Sequence, residues 1–247
     1  MKLLKNKLLI CNVLLCLTIL LLIGTTVAYF SDKSEFSNTL TAGNVSISLT
    51  EAAVKRADTG NLVEDTSADR IKGAADAVTH DYGVVFPGQE IYKDPTVENV
   101  GSEDAWIAAE VVFNDGSGDL HKIYGYDGDL GIDIELILKG GLLDEKVHVG
   151  TWNGIHKVCY NDNYAMAQVA NPAENEYAFY FFFNKKFASG DSATLFDTLY
   201  IDDFLDGNAL SELRDLKITV RAFGVQTGGF ETCFDAMTTA FSEYFYF

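Results

Sequence analysis

Glu176-Tyr177-Ala178-Phe179-Tyr180-Phe181-Phe182-Phe183-Asn184 decides the fold. A strand with one wet face alternates apolar and polar residues, whereas a strand covered on both faces stays apolar along its length. This stretch is therefore predicted as a central strand, buried on both sides. The chain around it reads as more strands. Residues 192–201 and Leu216–Gln226 follow it. Ahead of it, residues 146–152 and Ile155–Tyr160 flank Asn153-Gly154, a pair that suits a type I′ hairpin turn. Residues 131–138 alternate Ile132, Ile134, Leu136 and Leu138 with Asp133 and Glu135, the pattern of a half-buried strand.

Residues 104–114 and 90–99 read as strands too, and Pro95 marks the second as an edge strand or as bulged there. Pro87-Gly88 predicts a turn, since Pro presets φ and Gly supplies a positive φ at the next position. Val45, Ile47 and Leu49 alternate with Ser46 and Ser48 in the first strand of the domain. Residues 50–80 are polar and rich in Ala and Asp. They read as an insertion after the first strand, partly helical at best. About nine short strands joined by Gly-rich turns predict an all-β sandwich. At the far end Phe230, Phe234, Met237, Phe241, Tyr244 and Phe245 recur three and four apart. Residues 230–247 are thus predicted as a short C-terminal amphipathic helix, docked on the domain, placed at a subunit contact or lying at a membrane interface, the last disfavoured because the stripe has no Lys or Arg.

The first residues carry Lys2, Lys5 and Lys7 and no acid, ahead of an apolar run over residues 8–23. Thr26-Val27-Ala28 then places small residues at −3 and −1. Residues 1–28 are predicted as a secretory signal peptide, cut between Ala28 and Tyr29 or one residue later. The apolar run is shorter than the ~20 residues that span a bilayer. The mature chain is expected to be secreted, at the cell surface or beyond it, and not membrane-spanning, with the sandwich over residues 29–229.

The chain of 247 residues has 18 basic and 36 acidic residues, a net charge of −18. The signal holds three of the bases and none of the acids, so its removal makes the rest more acidic. Such a charge repels nucleic acid and anionic lipid. Cys11 and Cys16 lie in the signal. Cys159 and Cys233 remain, either as one disulfide or as two buried thiols.

His80, His121, His148 and His156 do not form His-Glu-x-x-His, the helical spacing of common zinc peptidases. His148 and His156 are expected to face each other across the hairpin. No Gly-x-Ser-x-Gly is present. Asp127, Asp129 and Asp133 offer hard oxygen ligands at alternate positions, which makes calcium the metal to consider. The EF-hand register fails, with Ile132 at its sixth position and Leu138 at its twelfth. The chain is therefore expected to have no catalytic residues and no cofactor other than, at most, calcium.

Several stretches together resemble exported proteins of the TasA/camelysin family. They are Ala28-Tyr29-Phe30-Ser31-Asp32 with Asn38-Thr39-Leu40-Thr41-Ala42-Gly43 and the strand from Val45 to Leu49; Phe86-Pro87-Gly88-Gln89 with Val97-Glu98-Asn99-Val100-Gly101-Ser102 and Ala105-Trp106-Ile107; Ala188-Ser189-Gly190-Asp191-Ser192-Ala193-Thr194-Leu195-Phe196; and Leu216–Gln226, ending near Phe230. The resemblance implies a jelly-roll topology, processing by a dedicated signal peptidase, and self-association into cell-surface or biofilm-matrix fibres. It also implies an alternative, a camelysin-like surface metallopeptidase, against which the absent zinc motif counts. A monomeric surface domain that binds a ligand through its loops is a third reading. For fibres, the freed segment with Phe30, Phe36 and Leu40 is the candidate donor strand, pairing with an edge of the next subunit. The other expectation is that it folds back on its own sandwich.

Overall fold

The computed structural model describes residues 31–34, 45–73, 86–115, 138–144, 148–153, 155–171, 176–201, 203 and 216–245. They form an all-β sandwich with one short helix.

Its main layer is a seven-stranded antiparallel sheet. In spatial order the strands are Ser31–Ser34 (β1), Leu216–Gln226 (β16), Ala105–Asp115 (β8), Glu176–Phe183 (β13), Tyr164–Asn171 (β12), Ile155–Tyr160 (β11) and His148–Trp152 (β10). The aromatic stretch β13 is thus the middle strand. Tyr177, Phe179, Phe181 and Phe183 enter one apolar cluster, and Ala178, Tyr180 and Phe182 enter another on the opposite face. All seven are at most 4% exposed. A Phe buried this way contributes about 1.5–3 kcal/mol, and no position from Tyr177 to Phe183 is left for a polar residue to face water.

The inner face of this sheet is covered by two smaller sheets. One holds Ser192–Thr194 (β14), Thr96–Asn99 (β7), Ile47–Glu51 (β2) and Ile71–Lys72 (β5). The other holds Val54–Arg56 (β3), Leu62–Glu64 (β4), Glu90–Tyr92 (β6), Thr198–Tyr200 (β15) and Leu138–Lys139 (β9). Two strand runs pass together from one small sheet to the other. β6 becomes β7 across Lys93-Asp94-Pro95, and β14 becomes β15 across Leu195-Phe196-Asp197. Backbone bonds from Lys93 N–H to the Asp197 carbonyl and from Leu195 N–H to the Pro95 carbonyl, both 3.0 Å, hold the corner. The sequence predicts an edge strand or a bulge at Pro95; β6 and β7 both lie inside their sheets instead, and Pro95, which cannot donate to a ladder, is where the strand changes sheets.

The outer face is covered by the helix Cys233–Ala240 (α1), with Thr232 as N-cap. The Thr232 hydroxyl accepts from Asp235 N–H at 3.1 Å and donates to the Asp235 carboxylate at 2.7 Å. Cys233, Ala236 and Met237 are buried against the sheet. Beyond the helix, Phe241 and Phe245 continue the packing. Small residues on the sheet (Ala108, Ala165, Ala167 and Ala178) alternate with these rings in the same cluster. The helix is shorter than predicted: the chain leaves helical geometry at Phe241, and Ser242–Tyr244 form a turn.

Two turns match their sequence signals. Gly88 has φ 74° and Gln89 N–H bonds the Phe86 carbonyl at 3.1 Å; Asn153 has φ 45° between β10 and β11. Residues 50–73 differ from expectation. They form β3, β4 and β5 and no helix. Val54 and Leu62 pack on the core, and the Asp65 carboxylate accepts from Lys55 and Ser67, which fixes a hairpin that polarity alone had hidden. The stretch 90–99 is two strands, as is 192–201. Strand β12 has no counterpart in the sequence reading. Of the strand predicted over 131–138, only Leu138 lies among the described residues.

Candidate functional site

β16 pairs with β8 along all 11 of its residues. On its other side β1 lies antiparallel, with Ser31 opposite Val225, Asp32 opposite Gly224, Lys33 opposite Phe223 and Ser34 opposite Ala222. The described residues place no strand beside Leu216–Val220 on that side. β1 is an edge strand of four residues, none of them apolar. Two are charged, which discourages further pairing. In this single chain, then, the stretch just after Tyr29 and Phe30 pairs with its own β16. Ala28, Tyr29, Phe30, Phe36 and Leu40 lie outside the described residues, as does the whole predicted signal.

An ion pair lies near the edge. Arg221 donates to Glu110 on β8 at 2.7 Å, and Glu110 is 3% exposed. The two are register partners on the helix-covered face.

The inner layer holds a second polar cluster, at the β6–β7 bend. Lys93 Nζ donates to both carboxylate oxygens of Glu51, at 2.6 and 2.8 Å, with side-chain exposures of 1% and 3%. Burial pushes the Lys93 ammonium towards its neutral form, against the pull of Glu51. Beside it the Asp94 carboxylate accepts from Ala52 N–H at 2.7 Å, Arg70 at 2.6 Å and the Tyr92 hydroxyl at 3.3 Å. Tyr92 is pushed up to about 12, first by burial and then by the charge of Asp94. Removing one partner of such a buried pair strands the other, at a cost of about 3–5 kcal/mol. Sequence reading missed this cluster. Its one signal is Lys93-Asp94, two charges between the strand residues Ile91 and Val97.

The motif stretches around Asn99 and Ala188–Phe196 meet in space. Asn99, fully buried, donates to the carbonyls of Glu103 and Phe187, both at 2.8 Å, and accepts from Gly101 N–H at 3.0 Å. Gly190, with φ 84°, bonds the Asn99 carbonyl, and the Asp191 carboxylate accepts from Ala188 N–H at 2.9 Å. These residues satisfy backbone groups at strand ends.

The histidine expectation is corrected. His148 stands opposite Tyr160, with ring centroids 5.9 Å apart, because the turn at Asn153 sets Trp152 opposite Ile155 and leaves His156 near that end of the hairpin. Cys159 and Cys233 form no disulfide with each other. They lie on opposite faces of the seven-stranded sheet, Cys159 against the inner cluster and Cys233 in the outer one. Cys233 donates to the Ile107 carbonyl at 3.0 Å, and burial pushes its thiol well up. Among the described residues no group of three or more His, Cys, Asp or Glu is placed to hold a metal ion. The calcium candidates Asp127, Asp129 and Asp133 lie outside those residues. No described helix is long and apolar enough to cross a membrane.

In comparisons with family models, curated proteins and solved structures, nothing matches this chain.

Proposed function

We propose that this chain is an exported structural protein that assembles into cell-surface or biofilm-matrix fibres by donating its N-terminal segment to the β16 edge of the next copy. The reading includes the signal peptide, its dedicated peptidase and the jelly-roll topology that the TasA/camelysin resemblance implies. The observation that carries it is the register of β1 on β16. Were a donated strand to carry that register on, residue 30 would stand opposite Gln226, residue 36 opposite Val220 and residue 40 opposite Leu216. The stretch from Phe30 to Leu40 is then as long as β16, 11 residues. Directly opposed residues of an antiparallel pair point to the same face. Val220 and Ala222 face the inner cluster, so Phe30, Phe36 and Leu40 all take that face in the donated strand. Paired to its own chain, β1 covers Ala222–Val225 of that edge. Exchanged between copies, it links them head to tail, a contact that does not close on itself and so makes filaments.

The experiment compares a chain beginning at Tyr29 with one beginning at Gly43, by sedimentation and electron microscopy. The longer chain is expected to form filaments and the shorter one to stay folded and monomeric. Filaments of the same form from the shorter chain, or a longer chain that stays monomeric, would overturn the proposal.

A further inference from the structure

We propose that Lys93 and Glu51 condense into an intramolecular amide, a covalent cross-link between the end of β2 and the bend joining β6 to β7. The Lys93 amine lies 2.6 and 2.8 Å from the two carboxyl oxygens of Glu51, and both side chains are shut off from water, at 1% and 3% exposure. The neighbours of the pair are fastened together as well. Ala52, next to Glu51, donates its N–H to the carboxylate of Asp94, next to Lys93, at 2.7 Å. Arg70 holds that carboxylate from its other oxygen at 2.6 Å. The two reacting groups are thus held together by both segments of the chain, which removes the entropy cost of bringing them into contact.

In water a separated amine and acid are favoured over their amide largely because both ionise and are hydrated. A dry site removes that advantage, since neither charge is solvated there. Burial already pushes Lys93 towards the neutral amine. A proton passing from Lys93 to Glu51 along the 2.6 Å contact leaves a free lone pair beside a carboxylic acid. Attack needs Nζ above the plane of the carboxyl group; rotation about Cγ–Cδ leaves Cδ in place, so changes in the earlier torsions of the Lys93 and Glu51 side chains bring the amine there. The Nζ–Cδ bond forms, the Cδ–OH bond breaks, and the hydroxyl leaves with one amine proton as water. The step needs no oxidant, reductant or co-reactant. It is independent of fibre assembly.

The test is intact-mass spectrometry of the purified full chain, fresh and after days of incubation in the folded state, followed by protease digestion. The expected result is a population lighter by one water that grows with time, together with a branched peptide joining Glu51 to Lys93. Lys93→Arg and Glu51→Ala should keep the full mass, and so should wild type incubated in denaturant. A wild-type mass that stays at the sequence value overturns the proposal without any variant. A water loss that persists in Lys93→Arg, or that maps to an Asp-Gly imide, overturns it too.

Discussion

The two ends of the described chain both close on the seven-stranded sheet, by opposite means. β1 adds a polar backbone ladder of four residues at the edge. α1 and the residues after it cover much of one face with side chains. Phe245 packs on Tyr180, Phe182 and Phe223, with ring centroids 4.9–5.4 Å apart, and Phe234 sits against Trp152 and Phe182. A ladder at an edge is made of groups that any other strand supplies equally well. A jigsaw of rings is specific to its own chain. The first is suited to exchange between copies, and the second ties the chain to its own sandwich.

The largest effects are expected at the C-terminal cap. Phe245→Ala or Met237→Ala removes a buried side chain from the outer cluster and should cost about 2–5 kcal/mol, read as a lowered denaturant midpoint. A loss below 0.5 kcal/mol, on the order of a surface change, would mean that the cap is not part of the core. Thr232→Ala deletes the N-cap and should cost about 1 kcal/mol; Thr232→Ser should restore most of it. The smallest change in stability is expected at the other end. Starting the chain at Gly43 removes β1, whose few edge hydrogen bonds are largely offset by the entropy of ordering it, so the unfolding free energy should shift by about 1 kcal/mol or less. A shift as large as that of Phe245→Ala would erase the contrast between the two ends.

Much of the architecture was legible where packing leaves its mark on composition. Residues 176–183 announce a strand with two dry faces, and Pro95 announces an irregularity but not the change of sheet made there. The alternation at Val45, Ile47 and Leu49 matches their burial under 9%. The misses have physical causes. β12 was hidden because Ala165, Ala167 and Ala170 have low strand propensity; at Ala165 and Ala167 small residues sit in the cluster that takes the helix-borne rings. Residues 50–73 were hidden because their strands are short and their order comes from distant partners, such as Asp94 for Arg70. The Lys93–Glu51 pair joins residues 42 apart, and no local pattern records it. The facing of His148 depends on register, which periodicity does not supply.

Strand exchange is tested most directly by cross-linking at one register pair, Ser31 with Val225. Chains starting at Tyr29 and carrying Ser31→Cys are mixed with chains carrying Val225→Cys, allowed to assemble, and oxidised. Controls keep only Cys159 and Cys233. Donation predicts a disulfide between the two different variants, found in the filaments and absent from either variant alone. If the mixed variants never cross-link while a chain carrying both Ser31→Cys and Val225→Cys closes a disulfide within itself, the N-terminal strand stays at home and the fibre proposal is wrong.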